Sequence, residues 1–234
     1  FGANVNPLGI SKKMKDGLAA HIDAVTTYPD PEYTELRSHI AGYTGCRPEQ
    51  ILVGNGCTEL ISLFIQINHP KKALIVSPTY SEYEREVRLN GGEVLYYALK
   101  EENEFQLDVE DFCNALAAEQ ADLCVICNPN NPTGYVYTKE EMMRIRDIVK
   151  KYDLFLFSDE VYREFHYTDE PYVSALHLEG IEENVVLIDS VSKRYSECGI
   201  RIGAVITRNM QLRNAMMKFA QARLSPPLLG QIVA

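Results

Sequence analysis

LCVICNPNNPTGYVYTKEEMMRIRDIVKK, residues 123–151, decides the fold. Leu123 to Cys127 is apolar without a break, the pattern of a strand buried on both faces. Asn128 to Gly134 follows at once and carries two prolines, so the chain turns there. Thr138-Lys139-Glu140-Glu141 then fits a capping box ahead of a helix from Met142 to Lys151. A second apolar run, Leu154 to Phe157, completes the unit. Strand, helix and strand at this spacing call for a parallel pair with the helix crossing over one face.

The same alternation extends in both directions. Further strands are predicted at Ile51 to Val53, Ala73 to Ser77, Val94 to Ala98, Val185 to Ile188 and Gly203 to Thr207, nearly all apolar throughout. Between them, Asp30-Pro31 supplies a cap and a first-turn proline before a helix from Glu32 to Tyr43. Leu60 to Ile67 is helical, a helix from about Ser81 stops at Gly91-Gly92, and Asp108 caps Val109 to Glu119. The fold class is α/β, a mainly parallel sheet sandwiched by helices. The first 25 residues, with Asn6-Pro7-Leu8-Gly9, are predicted to be irregular and to pack elsewhere.

At 234 residues and 46% hydrophobic content the chain can bury one sizeable core. Its 23 basic and 33 acidic side chains give a formal charge of -10. No dense Lys/Arg run offsets this, which argues against nucleic acid or an anionic membrane as partner. No apolar stretch reaches the roughly 20 residues that span a bilayer, and Phe1-Gly2-Ala3-Asn4 has no charged segment leading into an apolar one. The expected location is cytoplasmic. Cysteines at 46, 57, 113, 124, 127 and 198 are too scattered for a disulfide scaffold. Cys124 and Cys127 form C-x-x-C, yet residues three apart on a strand face opposite sides, so they read as core thiols with no metal. The chain begins without Met and stops at Ala234 inside the apolar run from Leu228, as a piece of something longer would.

Five stretches bear on chemistry. Gly54-Asn55-Gly56-Cys57-Thr58-Glu59 follows a strand and opens a helix, where free N–H groups beside glycine make a cup for phosphate or simply a tight turn. Asn128 to Gly134 is either a rigid turn or a stiff mount for an Asn amide. Ser158-Asp159-Glu160-Val161-Tyr162 puts a carboxylate at a predicted carboxyl end of the sheet, the crevice where α/β sheets bind ligands, though Asp159 could equally cap a helix. Pro78-Thr79-Tyr80-Ser81-Glu82-Tyr83 puts aromatics past another strand. Ser190-Val191-Ser192-Lys193, with Arg201 eight residues beyond the lysine, supplies an amine, two hydroxyls and a guanidinium. It also matches S-x-x-K of serine acyl-enzymes, but neither Ser-Asp-Asn nor Lys-Thr-Gly accompanies it. Together these elements meet the needs of an aldehyde cofactor bearing a ring and a phosphate.

In their order, Gly54 to Glu59, Pro78-Thr79-Tyr80, Asn131-Pro132-Thr133-Gly134, Asp159-Glu160-Val161-Tyr162 and Ser190 to Lys193 through Arg201-Ile202-Gly203, the sequence resembles the fold-type I aminotransferases of class I/II over essentially its whole length. The resemblance implies pyridoxal 5′-phosphate as cofactor, with Lys193 as its Schiff-base lysine and general base. Asp159 would pair with the pyridine nitrogen, Asn131 and Tyr162 with the phenolic oxygen, and Tyr80 would stack on the ring. The turn at Gly56, the N–H groups of Cys57 and Thr58, the hydroxyls of Ser190 and Ser192, and Arg201 would hold the phosphate. Tyr28, in Tyr28-Pro29-Asp30-Pro31, matches the tyrosine that reaches the neighbouring subunit's phosphate and implies a homodimer.

The implied substrates are a small amino acid and a 2-oxo acid. Residues 1–25 would form a segment lying on the small domain or partner, and 26–234 the cofactor-binding large domain, cut at the start of the interdomain helix. The C-terminal small domain, which in the family carries the arginine for the substrate α-carboxylate, is expected to be absent from these residues. Asn4 to Gly9 and Tyr28 to Pro31 resemble histidinol-phosphate aminotransferases and threonine-phosphate decarboxylases, whereas Cys198 to Gly203 and Ser225-Pro226-Pro227 resemble aspartate aminotransferases. An α-decarboxylase of an amino acid phosphate and a non-catalytic cofactor-binding fragment are therefore the alternatives. Arg223 is either a surface residue or a partner-side contact for an anionic substrate.

Overall fold

The computed structural model describes residues 4–167 and 169–234; Phe1 to Ala3 of the N-terminal segment lie outside the described residues. In chain order the helices and strands are α1 (Lys12–Ala20), α2 (Thr34–Thr44), β1 (Ile51–Asn55), α3 (Cys57–Asn68), β2 (Lys72–Ser77), α4 (Glu82–Leu89), β3 (Glu93–Ala98) and α5 (Val109–Glu119). The second half continues with β4 (Leu123–Cys127), α6 (Lys139–Tyr152), β5 (Phe155–Asp159), β6 (Val185–Ser190), α7 (Val191–Arg194), β7 (Ile202–Ile206), α8 (Met210–Ala220) and α9 (Leu228–Val233). Every predicted strand is present.

The strands form one sheet in the order β1-β7-β6-β5-β4-β2-β3. All pairings are parallel except those of β7, which is antiparallel to both β1 and β6. Only β7 is reversed. The carboxyl ends of β1, β2, β4, β5 and β6 therefore share an edge with the start of β7, and Arg201, immediately before β7, arrives there too. A uniformly parallel sheet would have sent it to the far side.

Alternation along each strand divides the core into two layers. Leu123, Val125 and Cys127 join Phe64, Tyr83, Met216 and neighbours from α3, α4 and α8 on one face. Cys124 and Ile126 join Phe112, Leu116, Met142, Ile145 and Val149 from α5 and α6 on the other. The C-x-x-C thiols thus lie on opposite faces, and burial drives both well above the usual thiol range. No group of His, Cys, Asp and Glu among the described residues could hold a metal ion. Edge strand β3 is the least buried, with Glu93, Tyr96 and Ala98 exposed.

Two predicted helix starts hold. Thr138 Oγ1 accepts from Glu141 N at 3.2 Å while Glu141 Oε2 accepts from Thr138 N at 2.7 Å, and Asp108 Oδ1 accepts from Asp111 N at 3.0 Å. The start predicted at Glu32 is corrected to Thr34. Asp30 takes the N–H groups of Glu32 and Thr34 at 2.9 and 2.8 Å, which holds Tyr33 in the left-handed region and delays the helix by two residues. The first 25 residues are not irregular throughout: α1 is capped by Ser11, whose Oγ accepts from Met14 N, and packs against α9. Among the described residues no helix is long and apolar enough to cross a membrane.

Candidate active site

One cavity of about 780 Å³ opens at the shared edge of the sheet. Cys57, Thr58, Tyr80, Asn131, Asp159, Tyr162, Ser190, Ser192, Lys193 and Arg201 all line it. Of the predicted site residues, Gly56 and Tyr28 are outside that lining. Gly56 acts by what it lacks. At φ 80 and ψ 168 it occupies a region that essentially only glycine adopts, and a Cβ there would lie 2.1 Å from Arg201 Nη2. Tyr28 is 91% exposed and does not enter the cavity of its own chain.

At one end of the cavity the first turn of α3 presents backbone N–H groups that no side chain of Gly56 caps. A Cβ on Gly203 would approach Cys57 N to 2.8 Å, so glycine is also what lets β7 pass this close to the turn. Arg201 donates from Nη1 to Cys198 O at 3.0 Å, and its Nη2 lies 3.5 Å from Asn55 O. Ser190 Oγ accepts from Ser192 N at 3.0 Å and lies 2.8 Å from Ser192 Oγ and 3.1 Å from Ile202 O. Its partners are Ser192 and Ile202, while Lys193 Nζ turns to Asn4 O, so the serine–lysine pair of an S-x-x-K nucleophile is not formed. The Cys57 thiol donates to Asp189 O at 3.3 Å, and burial, reinforced by Asp159 and Asp189, pushes it far up, so it stays a neutral thiol. Two uncapped N–H groups, two hydroxyls and a guanidinium in a cradle that a single Cβ would fill are the donor set a phosphate requires.

The middle of the cavity carries Asp159. Its Oδ2 accepts from Tyr83 OH at 2.6 Å and its Oδ1 from Val161 N at 3.1 Å. Burial pushes its pKa up to about 6, against those two hydrogen bonds, and Asp189 adds to the rise. A carboxylate in so dry a place fits a cationic partner. The helix-cap alternative for Asp159 is not what it does. Glu160, the next residue, is turned away: its Oε1 accepts from Ser158 Oγ at 3.1 Å and Ala175 N at 2.8 Å, and burial raises it to about 7. Tyr80 meets Tyr83 edge to face at 5.6 Å between ring centres.

Asn131 is one of three asparagines in its turn. Asn128 and Asn130 are buried and spend their Oδ1 atoms on Tyr137 N and on Thr133, which leaves Asn131 facing the cavity. Opposite, Lys193 Nζ lies 5.9 Å from the centre of the Tyr162 ring and 3.5 Å from Asn4 O, while Asn4 Nδ2 donates to Tyr162 OH at 2.8 Å.

Sequence reasoning missed Tyr83 and Asn4. Tyr83 had a signal, for it stands three residues after Tyr80, one helical turn on. Asn4 had none, because its contact spans most of the chain. Arg223 is partly buried: it pairs with Glu59 and donates to Val53 O at 3.2 Å, tying β1 to the first turn of α3.

The chain matches the family model for aminotransferase class I and II over residues 1–234. It is 35% identical over 209 residues to a histidinol-phosphate aminotransferase from Desulfitobacterium hafniense, covering 87% of this chain and 56% of the relative. It is 31% identical over 206 residues to a threonine-phosphate decarboxylase from Salmonella typhimurium, covering 88% and 55%. An aromatic aminotransferase structure from Pyrococcus horikoshii superposes with a TM-score of 0.91 at 27% identity, covering 99% of this chain and 65% of that one. The chain belongs to the aminotransferase class I and II family, whose cofactor is pyridoxal 5′-phosphate. It spans about half the length of the curated relatives it matches.

Proposed function

We propose that this chain is the cofactor-binding large domain of an aminotransferase that moves an amino group between an amino acid and a 2-oxo acid. The observation that carries the reading is that ten residues from six separate stretches of sequence converge on one cavity. Bound there, pyridoxal phosphate supplies an aldehyde with which an amine condenses and a ring that accepts the electron pair left when a bond to the substrate Cα breaks. The N–H groups of Cys57 and Thr58, the hydroxyls of Ser190 and Ser192, and Arg201 hold the phosphate. Asp159 holds the proton on the ring nitrogen, and Tyr83 keeps that carboxylate aimed. Asn131 and Tyr162 hydrogen-bond the phenolic oxygen, and Tyr80 covers the ring. Lys193, at the opposite wall, would supply the amine for the aldehyde and would hold the proton at the substrate Cα.

In the dimer, Tyr28 reaches the neighbouring phosphate; its exposure leaves it available for that. The N-terminal segment packs on the small domain or the partner subunit, and six free thiols fit a reducing, cytoplasmic setting. A second reading, α-decarboxylation of an amino acid phosphate, is favoured by the threonine-phosphate decarboxylase among the relatives. Purified protein should be yellow, lose the colour with an amino donor and regain it with 2-oxoglutarate. Carbon dioxide release without that return selects the decarboxylase, and failure to bind the cofactor sinks both readings.

A further inference from the structure

Lys193 rides on a helix of four residues. One isolated turn fixes more dihedrals than its hydrogen bonds repay, so such a helix cannot hold a side chain in place unaided. The hold is tertiary. Arg194 folds back on Asp189, its Nη2 at 2.9 and 3.0 Å from the two carboxylate oxygens, while Asp189 Oδ1 accepts from Ser190 N at 2.8 Å. The Asp189 side chain is buried and that of Arg194 mostly so, at 6% and 11% exposure. Residues 189–194, with both phosphate-end hydroxyls and the lysine, thus form a loop closed by an ion pair.

That clamp continues to a second wall of the site. The guanidinium carbons of Arg194 and Arg163 each lie 4.4 Å from the centre of the Tyr43 ring. Arg163 Nε donates to Tyr43 OH at 2.9 Å, and that hydroxyl donates to Glu164, whose Oε1 is 3.7 Å from Nε of both arginines. Burial, with the bond to Glu164, pushes the Tyr43 phenol up to about 12, so it keeps the proton it donates. Arg163 directly follows Tyr162, and Arg194 directly follows Lys193. The two guanidiniums sharing one ring are therefore the chain neighbours of the two groups that face each other across the cavity.

We infer that Tyr43, Arg163, Glu164, Asp189 and Arg194 form a positioning cluster that sets Lys193 against Tyr162. The inference rests on the proposed role of Lys193. Stability alone is a poor account of the cluster, because buried ion pairs contribute little net stability against well-packed apolar side chains of similar volume. Position is what a stacked guanidinium adds, since its plane lies against the Tyr43 ring while Nη2 spans both Asp189 oxygens, which fixes direction as well as distance.

The test uses the holoenzyme. Arg194→Met alone leaves the Asp189 charge buried and unpaired, so the informative pair is the double variant Asp189→Asn/Arg194→Met, which removes both charges, and Arg194→Lys, which keeps the charge and loses the stacked plane. Melting temperature, absorbance titration of the cofactor–lysine chromophore, and kcat and KM are measured together. Both variants should melt within about 5 °C of wild type. The apparent pKa of the chromophore should move by about half a unit or more, and kcat should fall at least ~10-fold with KM within ~3-fold.

A changed melting temperature with unchanged titration and kcat makes the cluster merely structural and overturns the inference. Should the double variant fail to fold, Arg194→Lys decides alone by the same criteria. A wild-type protein that forms no chromophore with the cofactor overturns the assignment of Lys193 itself, a separate failure.

Discussion

The phosphate end of the cavity and the substrate end are built from different material. At the phosphate end the parts are backbone, glycine and short hydroxyls, packed so closely that a single Cβ at Gly56 or Gly203 collides with Arg201 or with Cys57 N. At the substrate end the parts are long side chains from distant segments, Tyr162 and Lys193, with Asn4 reaching in from the N-terminal stretch. The first end is preorganised by close packing within these residues. The second is assembled from side chains of segments far apart in sequence. Such a division suits an enzyme family that keeps one cofactor and varies its substrates, since binding at a preformed site spends little on ordering side chains.

The largest effect that would test this contrast is Lys193→Ala. It should lower turnover by at least ~10³-fold, because the chemistry loses its base and anchor, while the phosphate end still holds cofactor that equilibrium dialysis detects. Loss of all binding would show that the phosphate end is not independently preformed.

Asp159→Asn comes next, and its signature is a pH dependence of stability. The carboxylate is raised from 3.8 to about 6 in the folded protein. A raised carboxylate favours folding below its unfolded pKa, and the advantage disappears as pH climbs through the folded value. At pH 8 the cofactor-free protein therefore carries a charge that burial penalises by roughly 3 kcal/mol, and Asn carries none. Urea unfolding of the cofactor-free variant should show it more stable than wild type at pH 8, with the difference closing near pH 4. A difference that does not vary with pH would refute desolvation as its source.

Gly56→Ala should weaken cofactor binding by about 30-fold, through a backbone conformation alanine resists and the displacement of Arg201. Fluorescence titration measures it, and wild-type affinity would mean that the cradle is looser than its geometry. The smallest effect is that of Tyr28→Phe, a ~3- to 10-fold loss of cofactor affinity from one exposed-type hydrogen bond. Should affinity be unchanged in a protein shown to be dimeric, Tyr28 is not a phosphate contact and the phosphate end has no partner contribution at that position.

Much of the fold was legible because its signals are local. Every strand announced itself as an apolar run, and the Thr138 and Asp108 caps stood where short-range hydrogen bonding demands them. The start of α2 was misplaced because Asp30 spends its carboxylate on two N–H groups in a tight turn, a choice that composition does not reveal. Among the asparagines of the 128–131 turn, family order pointed to Asn131, and the physical reason appeared only when Asn128 and Asn130 were found occupied with backbone and hydroxyl partners. Tyr83 was within reach by helical spacing. Asn4, Tyr43 and Arg163 were not, since their partners lie more than a hundred residues away in sequence.

By itself the sequence determined the layered α/β architecture, the residues at the carboxyl ends of the parallel strands and their chemical types, because periodicity, caps and turns are properties of neighbouring residues. Tertiary structure alone decided that β7 runs against the rest of the sheet, and with it that Arg201 meets the N-terminus of α3 instead of the opposite edge. Strand direction depends on how a connection returns across the sheet and which face it buries. That is a balance of packing between distant segments, and no local pattern records it.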